Sequence, residues 1–369
     1  MVKGPNIQVF FALLRAGLWE QDVELQKYGD ADYSQVLQLA EEQSVVGLVA
    51  AGSDHVIDLT IPKADKFQFI GQTLQLEQRN LAMNAFVAAL IQRLRDAGIY
   101  TVLVKGQGVA QCYERPLWRA CGDVDLFFDS EKYEKAKPFL SALASSVEEE
   151  EKRKKHMAMT IDSWVVELHG LMPTEISKRI DNGVALVQKD IFECGGVRVW
   201  QDNGVDVFLP NPDNDAIIIF THYLQHFFCG GVGLRQISDW CRVLWTYRDS
   251  LDTDLLEHRL SEMGIEAEWK AFAAFAVNYL GMPAEAMPLY DAARKWSRKA
   301  RRICRVVLYV GNFGHNKDNS YRTKYPLLVE KNITFFRRLG EYVRLCTIFP
   351  CDAPRFFVTY VCRRVKATI

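Results

Sequence analysis

The sequence predicts an α+β protein: a mixed sheet flanked by helical N- and C-terminal regions. Three observations predict it. Residues 1–98 carry apolar side chains at helical spacing, residues 99–210 switch to short β-like runs, and residues 211–369 return to a helical pattern. These shifts mark an N-terminal helical region, a central α/β domain and a helical C-terminal domain. Pro210-Asn211-Pro212 punctuates the second boundary.

In the first region Ile7–Leu18 and Tyr33–Ala51 read as helices. Phe67–Ala97 reads as one long helix, with Phe69, Leu74, Leu76, Leu81, Phe86, Leu90 and Leu94 near one broad face. Gly98 follows where a C-cap glycine belongs. The central strands are Tyr100–Val104, Val124–Phe128, Met157–Ile161, Trp164–His169, Val197–Trp200 and Val205–Leu209, with a helix over Glu131–Leu143. The charge block Glu148–Lys155 reads as a solvated loop or helix end, with a basic arm on substrate phosphates as the sharper alternative. The C-terminal helices are Asp215–Phe228, Leu234–Tyr247, Asp254–Met263, Ala267–Leu280 and Ala293–Tyr309, followed by a looser Gly311–Tyr325. The last 50 residues form a basic tail with interleaved aromatics, expected to pack a core rather than lie on an anionic membrane or bind RNA.

The chain has 369 residues, 49% hydrophobic and 25% charged, the mix of an ordinary globular protein with a sizeable core. A net charge of −1 excludes nucleic-acid binding by bulk electrostatics. Nine scattered cysteines without a C-x-x-C pair imply reduced thiols and a cytoplasmic setting. No export signal or spanning segment is read at the N-terminus.

The chemistry concentrates in Val104–Phe128. Side chains alternate along a strand, so Asp123 and Asp125 share a face about 7 Å apart. Two such carboxylates repel unless a cation sits between them, and a hard divalent cation, Mg²⁺ or Mn²⁺, fits oxygen ligands. Lys105-Gly106-Gln107-Gly108 lies between a strand and a helix-like stretch, an arrangement that can cradle phosphate on backbone N–H groups. Two-metal transfer chemistry calls for a third carboxylate on a neighbouring strand. Glu167 in Trp164–His169 supplies it, with His169 on the same face. His222 and His226 sit one turn apart with Cys229 beyond. Zinc binding is one reading. Lining the cleft with Arg235 and Asp239, or ordinary packing, are the others.

LVKG, Tyr113, the run RACGDVDLFF from Arg119, and VVELHG resemble the bacterial nucleotidyltransferase-like family typified by LKG…R…GDIDLL…ELH, within the DNA polymerase beta-like nucleotidyltransferase superfamily. GGVGLRQISDW at Gly230–Trp240 extends the resemblance, which covers roughly residues 30–300. It implies that Asp123, Asp125 and Glu167 hold Mg²⁺ or Mn²⁺ and carry catalysis. Lys105, Gly106, Gln107, Gly108, Arg119, His169 and Arg235 would then bind nucleotide or phosphate, with Glu167 also assisting deprotonation of the acceptor. The chain departs from the superfamily's Gly-Ser or Gly-Gly turn: Gln107 stands at the small residue, and Gly106 lies well before Asp123.

The expected activity is transfer of an NMP from an NTP donor to a hydroxyl on a small molecule, glycan precursor, protein or RNA. A catalytically silent nucleotide-binding scaffold of the same fold is the alternative from another class. A glycosyltransferase holding a nucleotide sugar on its Asp-x-Asp pair would need several βα units before that pair, where this sequence is helical.

Overall fold

The computed structural model describes residues 4–312 and 327–358. Helix α1 (Pro5–Trp19) packs against α3 (Val46–Asp54), with α2 (Tyr33–Glu42) beside them. Asp32 caps α2 by accepting from the N–H groups of Ser34 and Gln35. The helical run expected over Tyr33–Ala51 is broken at residues 43–45, where Ser44 has φ 56°. Buried Gln43 explains the break. Its side chain donates to the Val307 carbonyl and accepts from the Leu234 N–H, anchoring the turn to the C-terminal helices. The turn sends α3 back along α1.

Helix α4 (Lys63–Asp96) is about 50 Å long. It ends at Gly98, whose φ of +70° favours glycine. Its inner face differs from the one expected. Phe69, Thr73, Asn80, Met83, Val87, Leu90, Ile91 and Leu94 are buried, while Leu74 and Leu81 are each 52% exposed. Polar Asn80 takes an inward position because its amide donates to the carbonyls of Leu117 and Arg119.

Five strands form the sheet: β1 (Val102–Val104), β2 (Asp123–Phe127), β3 (Ser146–Val147), β4 (His156–Ile161) and β5 (Trp164–His169), in the order β1-β2-β5-β4-β3. Only β2 and β5 pair in parallel, with Asp125 opposite Glu167. The short α5 (Gly106–Ala110) follows β1, and α6 (Ser130–Ser141), capped by Asp129, follows β2. Ser177 caps α7 (Lys178–Glu193). A separate hairpin, β6 (Val197–Asp202) and β7 (Val205–Pro210), turns on Asn203-Gly204, both with positive φ, the chemistry of a tight two-residue hairpin.

The C-terminal helices are α8 (Pro212–Cys229), α9 (Leu234–Thr246), α10 (Thr253–Met263), α11 (Glu266–Leu280), α12 (Arg294–Val310) and α13 (Leu327–Cys346), with a helical stretch at 352–358. Most of Gly311–Tyr325 lies outside the described residues, as do Tyr360, Arg363, Arg364 and Lys366 of the tail. Tyr342, Phe349 and Phe356 of the tail are buried. No helix among the described residues is long and apolar enough to cross a membrane, and their eight cysteines are free thiols.

Two hydrophobic cores form, and they do not follow chain order. One lies between the sheet and α4 and α6. The other joins α1–α3 to the C-terminal helices around Phe220, Trp240, Trp269 and Phe272. The face of the sheet bearing Asp125 and Glu167 looks away from the first core, toward α8 and α9.

The α1–α3 crossing depends on two glycines. A Cβ on Gly17 would stand 1.9 Å from the Leu48 carbonyl oxygen, and one on Gly52 1.9 Å from that of Leu13. Backbone atoms cannot give way as a side-chain tip can. Gly52→Ala should therefore destabilise the fold by about 3 kcal/mol, measured as the shift in urea unfolding midpoint. A midpoint equal to the parent's would show that the crossing tolerates spreading.

Candidate active site

The parallel pairing of β2 with β5 builds the centre of the site. Asp123 and Asp125 share a strand face, and the register places Glu167 beside Asp125 on that face. Antiparallel β4 then sets His156 opposite His169. The His169 Nε2 lies 2.9 Å from Asp125 Oδ1 and 3.5 Å from Glu167 Oε2, while His156 Nε2 lies 3.3 Å from the same Glu167 oxygen. Lys105 Nζ closes the group at 2.7 Å from Asp125 Oδ1.

These charges set one another's protonation. Burial would raise the Asp125 carboxyl, but Lys105 and the His169 hydrogen bond outweigh it and hold it below the usual range. Hydrogen bonds from His156 and His169 hold Glu167 far below its usual value. Burial, then the Asp125 charge, pushes Asp123 up. Burial opposes the charged forms of Lys105 and His169, but their carboxylate partners raise both.

The site opens into a cavity of about 310 Å³ between the sheet, the residues around Met172 and Thr174, and α8 and α9. Lys105, Gly106, Arg119, Asp123, Asp125, Glu167, His169 and Arg235 all line it, as do His222, His226 and Asp239. Arg119 is committed to Asp239: its Nη2 lies 2.6 Å from Oδ2 and its Nε 3.0 Å from Oδ1. The pair is buried, and burial is outweighed by Asp239 in raising the Arg119 guanidinium. Tyr113 also donates to Asp239 Oδ1 at 2.8 Å. Arg119 Nη1 and Arg235 Nε remain buried without a hydrogen-bond partner. Arg235 donates from Nη1 to the Ala120 carbonyl.

Two residues of the Lys-Gly turn sit elsewhere. Gln107 is buried and donates to Asn80 Oδ1 on α4, 3.0 Å away. Gly108 is a packing glycine: a Cβ there would meet Leu209 Cδ2 at 2.6 Å. Neither lines the cavity. Gly106 does, and its φ of +42° favours glycine. Lys105 also has positive φ, 57°, a strained conformation for a residue with a side chain.

Short-range sequence patterns miss the Asp239 clamp on Arg119, which joins residues 120 positions apart. They also miss Met172 and Thr174 in the cavity wall, which Lys154 joins from the charge block given a basic arm as its sharper reading. Lys154 belongs to the charge block, which forms the loop between β3 and β4 and pairs Lys154 with Glu151 at 2.7 Å. His222 and His226 face each other, Nε2 to Nε2 at 3.1 Å. Among the described residues, the one His, Cys, Asp and Glu group whose ligand atoms converge closely enough for an ion is His156, Glu167 and His169. Cys229 does not join the α8 histidines in such a group.

The donor set suits a divalent cation. Glu167 offers a carboxylate oxygen flanked by the imidazole nitrogens of His156 and His169, and the carboxylates of Asp123 and Asp125 line the same cavity outside that close group.

The chain belongs to a nucleotidyltransferase family: the family model described as uncharacterised nucleotidyltransferase matches residues 29–281. No curated protein matches. Among solved structures the chain is similar to the crystal structure of an antigenic nucleotidyltransferase-like protein from Paracoccidioides brasiliensis. That likeness has 15% identity and a TM-score of 0.32, over 54% of this chain and 92% of that one.

Two predictions follow from the geometry. Asp239→Asn leaves buried Arg119 without its counter-charge and should cost about 3–5 kcal/mol of stability, read from urea unfolding. A loss below 1 kcal/mol would mean that solvent already screens the pair. The second concerns pH. Burial and Lys105 push His226 down to about 4 from an ordinary 6.5. The unfolded chain therefore binds more protons than the folded one between these values. The His226 contribution is fully present above about pH 6.5 and is lost as pH falls toward 4. His169, raised, works in the other direction, its contribution disappearing as pH rises through its folded value. His226→Gln should flatten the decline in unfolding midpoint from pH 7 to pH 5; a decline as steep as the parent's would place the titrating group elsewhere.

Proposed function

We propose that the chain transfers a nucleotidyl group from an NTP to a hydroxyl acceptor. The observation that carries this reading is that Asp123, Asp125 and Glu167, on two parallel strands, line one cavity with Lys105. Family membership supports the reaction class. In the transfer, the acceptor oxygen bonds to the α-phosphorus, the bond from that phosphorus to the oxygen bridging the β-phosphate breaks, pyrophosphate leaves with the electron pair, and the hydroxyl proton passes to water. Asp123, Asp125 and Glu167 would hold Mg²⁺ or Mn²⁺, which when bound neutralises phosphate charge and lowers the pKa of a coordinated hydroxyl.

The chain's own residues divide the remaining work. Lys105, whose ammonium lies against Asp125, supplies a point charge for the triphosphate. Arg119 and Arg235 line the same cavity and place two guanidinium charges beside the phosphates. Glu167 stays ionised across the physiological range, which favours a ligand role over that of a proton acceptor. Neutral His222 and His226 leave the α8 wall uncharged, so the acceptor meets an imidazole surface with apolar neighbours such as Ile218 and Ile219.

The Lys105–Asp125 ion pair favours one second reading, a nucleotide-binding scaffold in which that lysine permanently satisfies the central carboxylate. Titration calorimetry with each of the four NTPs and Mg²⁺, followed by a pyrophosphate-release assay, separates the two. The expected result is metal-dependent binding of one NTP, with binding and turnover lost in Asp123→Asn/Asp125→Asn while circular dichroism is unchanged. Binding without pyrophosphate release across candidate acceptors would support the scaffold. No NTP binding by the folded protein would sink both.

A further inference from the structure

A second cavity, of about 420 Å³, lies on the far side of α8, between the end of that helix, α12 and α13. Its interior is apolar, built from Phe227, Phe228, Val306, Leu345 and Ile348. Its rim carries three arginines, Arg302, Arg305 and Arg344, each exposed. One acid, Glu341, is present, and it pairs with Arg338 at 3.3 Å.

The arginines belong to a wider basic face. Helix α12 contains seven Lys and Arg and no acid, in a chain whose net charge is −1. Its apolar side, with Trp296, Ala300, Ile303 and Val307, is buried, so the basic side points outward. Arg298, Arg302 and Arg305 make no ion pair among the described residues. Arg302 donates to the Thr347 carbonyl, and Arg344 lies over the Tyr309 ring at 5.0 Å. Tyr309 and Val343 add exposed apolar surface, 65% and 60% exposed.

We infer that this face binds anionic phospholipid at a bilayer surface, with headgroup phosphate on Arg302, Arg305 and Arg344 and hydrocarbon in the cavity. The charge and the cavity argue together. A solvated cationic helix needs no apolar pocket, and an apolar ligand pocket needs no ring of guanidinium groups. A lipid presents both anion and hydrocarbon within one molecule, and basic pockets on helical surfaces suit such headgroups. Nucleic acid would satisfy the arginines and leave the cavity unused. The inference is independent of the nucleotidyltransfer reading, because none of these residues lines the first cavity.

The test is co-sedimentation of the full chain with phosphatidylcholine vesicles, with and without roughly a third of phosphatidylglycerol. The expected result is partition onto the anionic vesicles only, weakened by salt. Arg302→Gln/Arg305→Gln/Arg344→Gln should lower the partition coefficient about 100-fold, and Arg305→Gln alone, at an exposed and unpaired position, about fivefold. Val306→Phe, which fills the cavity and keeps the charges, should weaken binding while preserving its salt dependence. The proposal is overturned by equal partition onto neutral vesicles, by no partition onto either, or by parent-like binding of the folded triple variant. Retention on single-stranded RNA without partition onto anionic vesicles would also overturn it and give the face to nucleic acid.

Discussion

The Arg119–Asp239 ion pair fixes the geometry on which the cleft depends. Arg119 ends the loop that leads into β2, and Asp239 lies on α9, so the pair ties the carboxylate strand to the opposite wall. Burying two charges is costly, and the cost is offset only by near-ideal pairing and further hydrogen bonds. Both oxygens of Asp239 are engaged here, one of them also by Tyr113. Two arginines of α9 act on the same segment: Arg235 holds the Ala120 carbonyl, and Arg242 holds that of Cys112. The loop from Cys112 to Ala120 is thus held by side chains from α9, and Asp123 enters the sheet from a defined position.

Within this frame the central carboxylates are arranged as a charge problem nearly but not fully solved. Lys105 and His169 both serve one oxygen of Asp125, and His156 and His169 both serve one oxygen of Glu167. Among the described residues Asp123 has no such partner, and burial and Asp125 push its carboxyl up. The positive φ of Lys105 places strain at the residue that closes the group, as expected where function over-determines a backbone conformation. Arg119 Nη1 and Arg235 Nε are buried without a hydrogen-bond partner beside the same site.

Much of this was legible in the sequence. The apolar run Trp164–His169 matches β5 from end to end, and the shared face of Glu167 and His169 follows from period two. Gly98 marked the end of α4 through its own backbone freedom. Other features were not legible. The apolar count on α4 suggested a face through Leu74 and Leu81, yet Asn80 turns inward because loop carbonyls nearly forty residues away need a donor. Gln107 reads as part of a phosphate turn, but Asn80 draws it into the core. Gly108 answers to Leu209 on a hairpin a hundred residues later.

By itself the sequence determined every strand but the two-residue β3, most helices, the Asp-x-Asp face and the acid of β5, because these depend on spacing within a few residues. Tertiary structure decided which strand lies beside β2, which turn residues face the cavity, and which arginine is left with a free donor. It also gathered the α12 arginines around an apolar cavity that no local pattern announces. Each of these depends on partners far apart in the chain, chosen by the cost of burying polar groups unpaired. Local periodicity carries no record of that choice.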